Sequence, residues 1–161
     1  MTELTRADRS SAAPLFTPRA VAWCMGAGAA GLFAFTLGNR VVGPAIFGPV
    51  PEPIDVAMMI VGARSLFHLA FVYLLLGLVV LPAIYVLVLR PLSLRMVPDL
   101  PWWLTGIAFG GMIWLTALAI VVYDVPEFWN VPNFPAVIWS ALVGHLGLGL
   151  AVAGVAERRP R

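Results

Sequence analysis

The sequence predicts an all-α membrane protein, with four transmembrane helices in a bundle formed from two helical hairpins that repeat in parallel. Three observations predict it. Of the 161 residues 61% are hydrophobic and only 11% charged, with mean hydropathy +0.93, which is too little charge to cover a soluble domain of this size. Four apolar runs are each long enough to cross about 30 Å of hydrocarbon at about 1.5 Å per residue. The stretch VPEPIDV at 50–56 returns as VPEFWNV at 125–131.

The spans fall near 19–41, 60–89, 101–123 and 135–156. They divide the chain into a polar N-terminal segment 1–18, a first hairpin 19–89, a connector 90–100, a second hairpin 101–156 and a basic tail 157–161. No small-residue cleavage pattern follows the first run, which therefore reads as a retained helix rather than a signal peptide. The second run is longer than a bilayer requires, so it should tilt or project beyond the membrane. Pro82 inside it removes a backbone donor and predicts a kink.

Charge sets the expected orientation. Arg6, Arg9, Arg19, Arg90, Arg95, Arg158, Arg159 and Arg161 lie on one side against Glu3, Asp8, Asp99 and Glu157, leaving that side positive. Arg40 and Arg64 face Glu52, Asp55, Asp124 and Glu127 on the other, which is negative. Both termini are expected in the cytoplasm, with the two VPE loops outside. Every basic residue is arginine, a bias that suggests a GC-rich bacterial or archaeal genome and hence a prokaryotic cytoplasmic membrane.

The repeat extends beyond the loops. A shift of 80 residues aligns Trp23, Gly26, Gly31 and Thr36 with Trp103, Gly106, Gly111 and Thr116. A shift of 77 aligns His68, Leu69 and Gly77 with His145, Leu146 and Gly154. Both units are two-helix hairpins, so the duplication keeps one topology and places a pseudo-twofold axis along the membrane normal. Such hairpins most simply close into a four-helix bundle.

Small residues are expected to hold the helices, because apolar burial gives little drive to associate in lipid. Ser140, Gly144, Gly147, Ala151 and Gly154 form one stripe, while Gly106 with Gly110 and Gly28 with Gly31 and Gly38 thin the third and first helices. The plain reading is tight helix packing, with a groove for a flat ligand or lipid as the alternative. Trp102, Trp103, Trp129 and Trp139 suit aromatic belts. Asp55, Asn130 and Asn133 resemble helix caps, with Pro135 suited to a first turn. Cys24, the single cysteine, reads as a small packing residue.

The candidate chemistry is sparse. His68 and His145 occupy equivalent repeat positions at similar expected depth, where two imidazoles across an axis meet the requirement for bis-histidine haem b. Structural or partner-facing roles are the simpler reading, and a quinone or metal contact is a third. Arg64, one turn before His68, can reach lipid or quinone headgroups or pair with Glu52 or Glu127. No HExxH, GxSxG or phosphate loop is present, nor a basic patch for nucleic acid. The sequence therefore points away from an enzyme and from an autonomous transporter.

The runs GIAFGGMIWL and HLGLGLAVAG, within residues 104–156, resemble a family of uncharacterised four-helix membrane proteins of archaea and bacteria. In that family a glycine-spaced third helix with a tryptophan precedes a fourth helix with a histidine and glycines. The resemblance implies an association with aerobic respiration, notably with haem–copper terminal oxidases. The expectation is then a non-catalytic accessory subunit of a larger complex, docked through Gly144, Gly147 and Gly154 and through the outer aromatics Phe128, Trp129 and Phe134. A haem b electron-transfer protein and a quinone- or lipid-binding scaffold are the alternatives.

Overall fold

The computed structural model describes residues 17–51, 55, 57–59, 62 and 65–158. Among them the chain is helical with no strand. Four helices are long and apolar enough to cross a membrane: α1 (Pro18–Phe47), α2 (Leu66–Met96), α3 (Trp102–Asp124) and α4 (Phe134–Glu157). This is a multi-pass membrane architecture.

Local chemistry explains each boundary. Thr17 caps α1 by accepting from the Ala20 amide at 3.1 Å, with Pro18 in the first turn. Gly48 ends α1 at φ 97°, a conformation that side chains rarely adopt. Ser65 caps α2 by accepting from the His68 amide at 3.2 Å, so α2 begins about six residues later than the hydropathy predicts. It also runs on to Met96, which takes Arg90 and Arg95 out of the expected connector and into the helix. Pro98 follows its end, since a residue before proline disfavours helix. Pro135 sits in the first turn of α4.

Interior prolines do not break α1 and α2. Wide π-type turns at Gly38–Val42, Leu75–Val80 and Tyr85–Leu89 come immediately before the short α-helical segments that contain Pro44, Pro82 and Pro91. Each ring removes an amide donor and crowds the carbonyl one turn back, and a locally wider turn relieves that clash. The turn before Pro82 is thus a widened one. No proline lies beyond the first turn of α3 or α4, and both are uninterrupted α-helix.

Helix α4 is the most enclosed of the four and α2 the least. A Cβ on Gly43 would fall 2.5 Å from Ser140 Cβ, on Gly38 2.8 Å from Gly144 Cα, and on Gly31 2.9 Å from Val152. These contacts run in opposite order along the two chains, so α1 and α4 are antiparallel. On the other side of α4, a Cβ on Gly106 would lie 3.1 Å from Leu150 Cα, and on Gly110 2.9 Å from Leu146 Cα. Helix α2 leans on α1, where a Cβ on Gly28 would meet Leu78 Cα at 2.6 Å.

The twofold equivalence expected of the hairpins is uneven. The α1–α4 seam is close along much of its length, whereas its counterpart between α2 and α3 is a short contact around Tyr85. Tyr85 is fully buried and shares a 2.8 Å hydrogen bond with Thr105 Oγ1. Thr105 in turn donates to the Trp102 carbonyl at 2.7 Å. Ala27, Tyr85, Phe109, Leu148, Val152 and Ala153 make one core drawn from all four helices. The equivalent threonines do behave alike: Thr36 and Thr116 each donate to the carbonyl four residues back, at 2.9 Å, which satisfies an exposed hydroxyl within its own helix.

Candidate functional site

The two halves meet at the loop end. Val50 of the first VPE loop packs against Val121, Val125, Phe128 and Val137, and Val50 and Val125 are the opening valines of the two repeats. Asn133 adopts φ 53°, unusual for a side-chain-bearing residue. It stands at the N-cap position of α4 but makes no cap there. Its Nδ2 donates instead to the Pro49 carbonyl at 2.7 Å, tying one loop to the other.

This assigns Asn133 a role the sequence reading missed, and it yields a test. Asn133→Ala is expected to cost about 1–2 kcal/mol, from one lost hydrogen bond plus a left-handed conformation alanine resists. Asn133→Gly loses only the hydrogen bond and should recover roughly half of that deficit. Unfolding midpoints of the two variants in one detergent check the ordering.

The aromatic expectation divides. Phe128 is buried, 3% exposed, and meets Phe134 edge-on at 5.4 Å, so it closes the loop core instead of facing outward. Phe134 is half-buried. Trp129 remains 50% exposed, braced by the Phe134 ring at 4.7 Å. Trp139 stacks on Trp114 at 6.3 Å, and Trp114 Nε1 donates to the Ile138 carbonyl at 3.2 Å.

The glycines expected to face a partner face this chain. A Cβ on Gly144 would lie 3.0 Å from the Phe35 carbonyl, and one on Gly147 3.2 Å from the Ala34 carbonyl, both on α1. A Cβ on Gly154 would lie 3.4 Å from the Trp102 ring. Close backbone approach inside the molecule occupies Gly144 and Gly147.

The two histidines have different surroundings. His68 occupies the first turn of α2 and is exposed, because α2 starts at Leu66. His145 lies eleven residues into α4, about 16 Å along its axis. Its ring is half-buried, and Nδ1 is 2.7 Å from the Ala141 carbonyl. The edge-on Phe35 ring is 4.9 Å away. The two imidazoles thus differ in exposure and in neighbours. Arg64, Glu52 and residues 159–161 lie outside the described residues. Among the described residues no group of three or more His, Cys, Asp or Glu side chains is placed to hold a metal.

A different polar cluster occupies the middle of the helices. Phe35 also meets the Tyr73 ring at 5.9 Å and 62°, so α1, α2 and α4 contribute Phe35, Tyr73 and His145 to one aromatic group. Asn39 is alongside, its Cβ 3.1 Å from where a Gly144 side chain would begin. At the opposite end of the helices, Arg90 of α2 forms an ion pair with Glu157 of α4. Cys24 lines a small cavity there with Trp23, Ala27 and Val86.

In comparisons with known proteins, no family model, no curated protein and no solved structure matches the chain.

Proposed function

We propose that this chain is a non-catalytic accessory subunit of a larger respiratory membrane complex, of the haem–copper oxidase or quinol-oxidising class. In this reading it is a four-helix bundle of two parallel-repeat hairpins in a prokaryotic cytoplasmic membrane, with both termini in the cytoplasm. The arginine asymmetry supports that orientation. The respiratory setting rests on the family resemblance of residues 104–156.

The observation that carries the assembly reading is the loop-proximal half of α2. Leu66–Leu74 packs lightly, touching α1 through Tyr73 against Phe35, and it presents Phe67 at 82% and Phe71 at 58% exposure. A subunit that keeps its glycine seams for its own fold needs another face for its neighbour, and this is the least covered helix. Trp129, exposed on the adjoining loop, extends that end toward an extramembrane domain, in keeping with the enrichment of tryptophan at interfaces.

Extraction of native membranes in a mild detergent, followed by sizing and a subunit inventory, tests the proposal. The chain is expected to migrate with oxidase or quinol-oxidase subunits and to leave them when Phe67 and Phe71 are replaced by alanine. Recovery solely as a free monomer would sink the idea.

A further inference from the structure

Helix α2 is held unevenly along its length. From Pro82 inward it is fixed: Pro82 and Tyr85 are fully buried, Tyr85 bonds Thr105 of α3, and Arg90 pairs with Glu157 of α4. The turn just outside Pro82 is seated on α1, where Gly28 and Gly77 let the two backbones meet. A Cβ on Gly28 would lie 2.6 Å from the Gly77 carbonyl oxygen, and one on Gly77 would strike the Leu32 side chain. Beyond that seat the arm Leu66–Leu74 is lightly packed. Leu69 is its one buried side chain, and Tyr73 meets Phe35 edge-on.

The backbone between the two parts lacks bonds that keep a continuous helix straight. Leu75–Val80 is a wide π-type turn, and the Leu81 amide that closes it donates back to the Leu76 carbonyl. Pro82, the next residue, has no amide to donate. Neither Leu81 nor Pro82 therefore supplies a donor to the Gly77 carbonyl, and the ladder is open on that side. Wide turns and prolines are where helices bend. The arm itself is a complete helix, because Ser65 caps it through the His68 amide and Leu66–Leu74 is uninterrupted α-helix. It can move as one body.

We propose that α2 is a hinged helix, in which Leu66–Leu74 pivots as a rigid arm at the Leu75–Val80 turn while the part from Leu81 inward stays fixed to the other helices. Swinging outward parts Tyr73 from Phe35 and bares the α2 side of that ring, which also meets His145. Swinging back restores the contact. A hinge of this kind absorbs the motion in a few backbone dihedrals and leaves the flanking bodies intact. The device belongs to the isolated chain and does not depend on the assembly reading.

The test uses the full chain in phosphatidylcholine nanodiscs, with Cys24→Ala so that introduced cysteines alone carry spin labels. Phe67→Cys with Leu115→Cys, both exposed positions, reports the arm against α3. Val88→Cys with Leu115→Cys, also exposed, reports the fixed part. Dipolar distance measurements should give a distribution about twofold wider for the arm pair than for the fixed pair. Pro82→Ala returns the missing amide and should narrow the arm distribution toward that of the fixed pair. Amides of Leu69–Leu74 should exchange with deuterium as slowly as those of Val137–Leu142, at the matching place in α4, because the arm stays helical as it moves. Equal widths for the two pairs overturn the proposal, as does an arm width unchanged in Pro82→Ala. Faster exchange through Leu69–Leu74 also overturns it, because the arm would then fray instead of pivoting. Should Pro82→Ala fail to fold, the two label pairs and the exchange still decide.

Discussion

Gly149→Ala is expected to destabilise the protein by about 3 kcal/mol, at the upper end of the overpacking range. A Cβ there would strike the Gly106 carbonyl and lie 2.6 Å from the Gly110 nitrogen and 2.9 Å from its Cα. All of these are backbone atoms of α3, which cannot rotate aside as a side chain can. Only separation of α3 from α4 makes room, and that surrenders the dispersion contacts that hold helices together in lipid. Gly110→Ala should behave alike, since its Cβ would meet the His145 carbonyl and lie 2.9 Å from Leu146 Cα. Gly26 and Gly111 supply the control, because nothing lies within 4 Å of a Cβ on either. Their alanine variants should be neutral or more stable by up to about 1 kcal/mol through helix propensity. Unfolding in mixed micelles of rising denaturing-detergent fraction measures all four. Equal losses at Gly149 and Gly111 would show that the seam is not what holds α3.

That contrast also shows what the sequence could and could not reveal. Gly106, Gly110, Gly144 and Gly147 announce close approach by their spacing alone, but a spacing does not say against which helix. The α4 stripe fits packing inside the molecule and docking to a partner equally well. In the structure Gly144 and Gly147 face α1 while Gly149, outside that stripe, faces α3. A central helix needs small residues on two faces, and a one-stripe reading sees one of them.

The spans themselves were legible because bilayer thickness demands a minimum apolar length, and all four runs became helices. The start of α2 was not, because hydropathy places it near 60 and the helix begins at Leu66. Gly62 at φ 62° and the Ser65 cap delay it. A serine directly before Leu66 was a readable start signal, and using it would have set His68 in the first turn. The Asn133 link to Pro49 was beyond reach, since it joins positions 84 apart through a backbone conformation that no local pattern requires. Likewise charge counting could place Arg90 and Glu157 on one side of the membrane but could not pair them.

Tyr85→Ala is the second large effect, with an expected loss of about 3–5 kcal/mol as for other large aromatic truncations in cores. Tyr85 is fully buried and is the α2 residue in the core shared with Ala27, Phe109, Leu148, Val152 and Ala153. Its ring lies 5.3 Å from that of Phe109, and its hydroxyl reaches Thr105 at 2.8 Å. With the loop-proximal half of α2 lightly packed, this side chain pins the other half to α3. Removing it should let that half of α2 move away from the remaining helices. The chain carries its own reporter: Cys24, the single cysteine, lines a small cavity with Val86, the residue after Tyr85. Labelling of Cys24 by a membrane-permeant maleimide should therefore accelerate in Tyr85→Ala. Tyr85→Phe keeps the ring and should cost only about 1 kcal/mol for the hydrogen bond, with labelling close to that of the unaltered chain. If Tyr85→Ala is destabilised while Cys24 labelling is unchanged, α2 stays docked without its pin, and the ion pair of Arg90 with Glu157 is what holds that end.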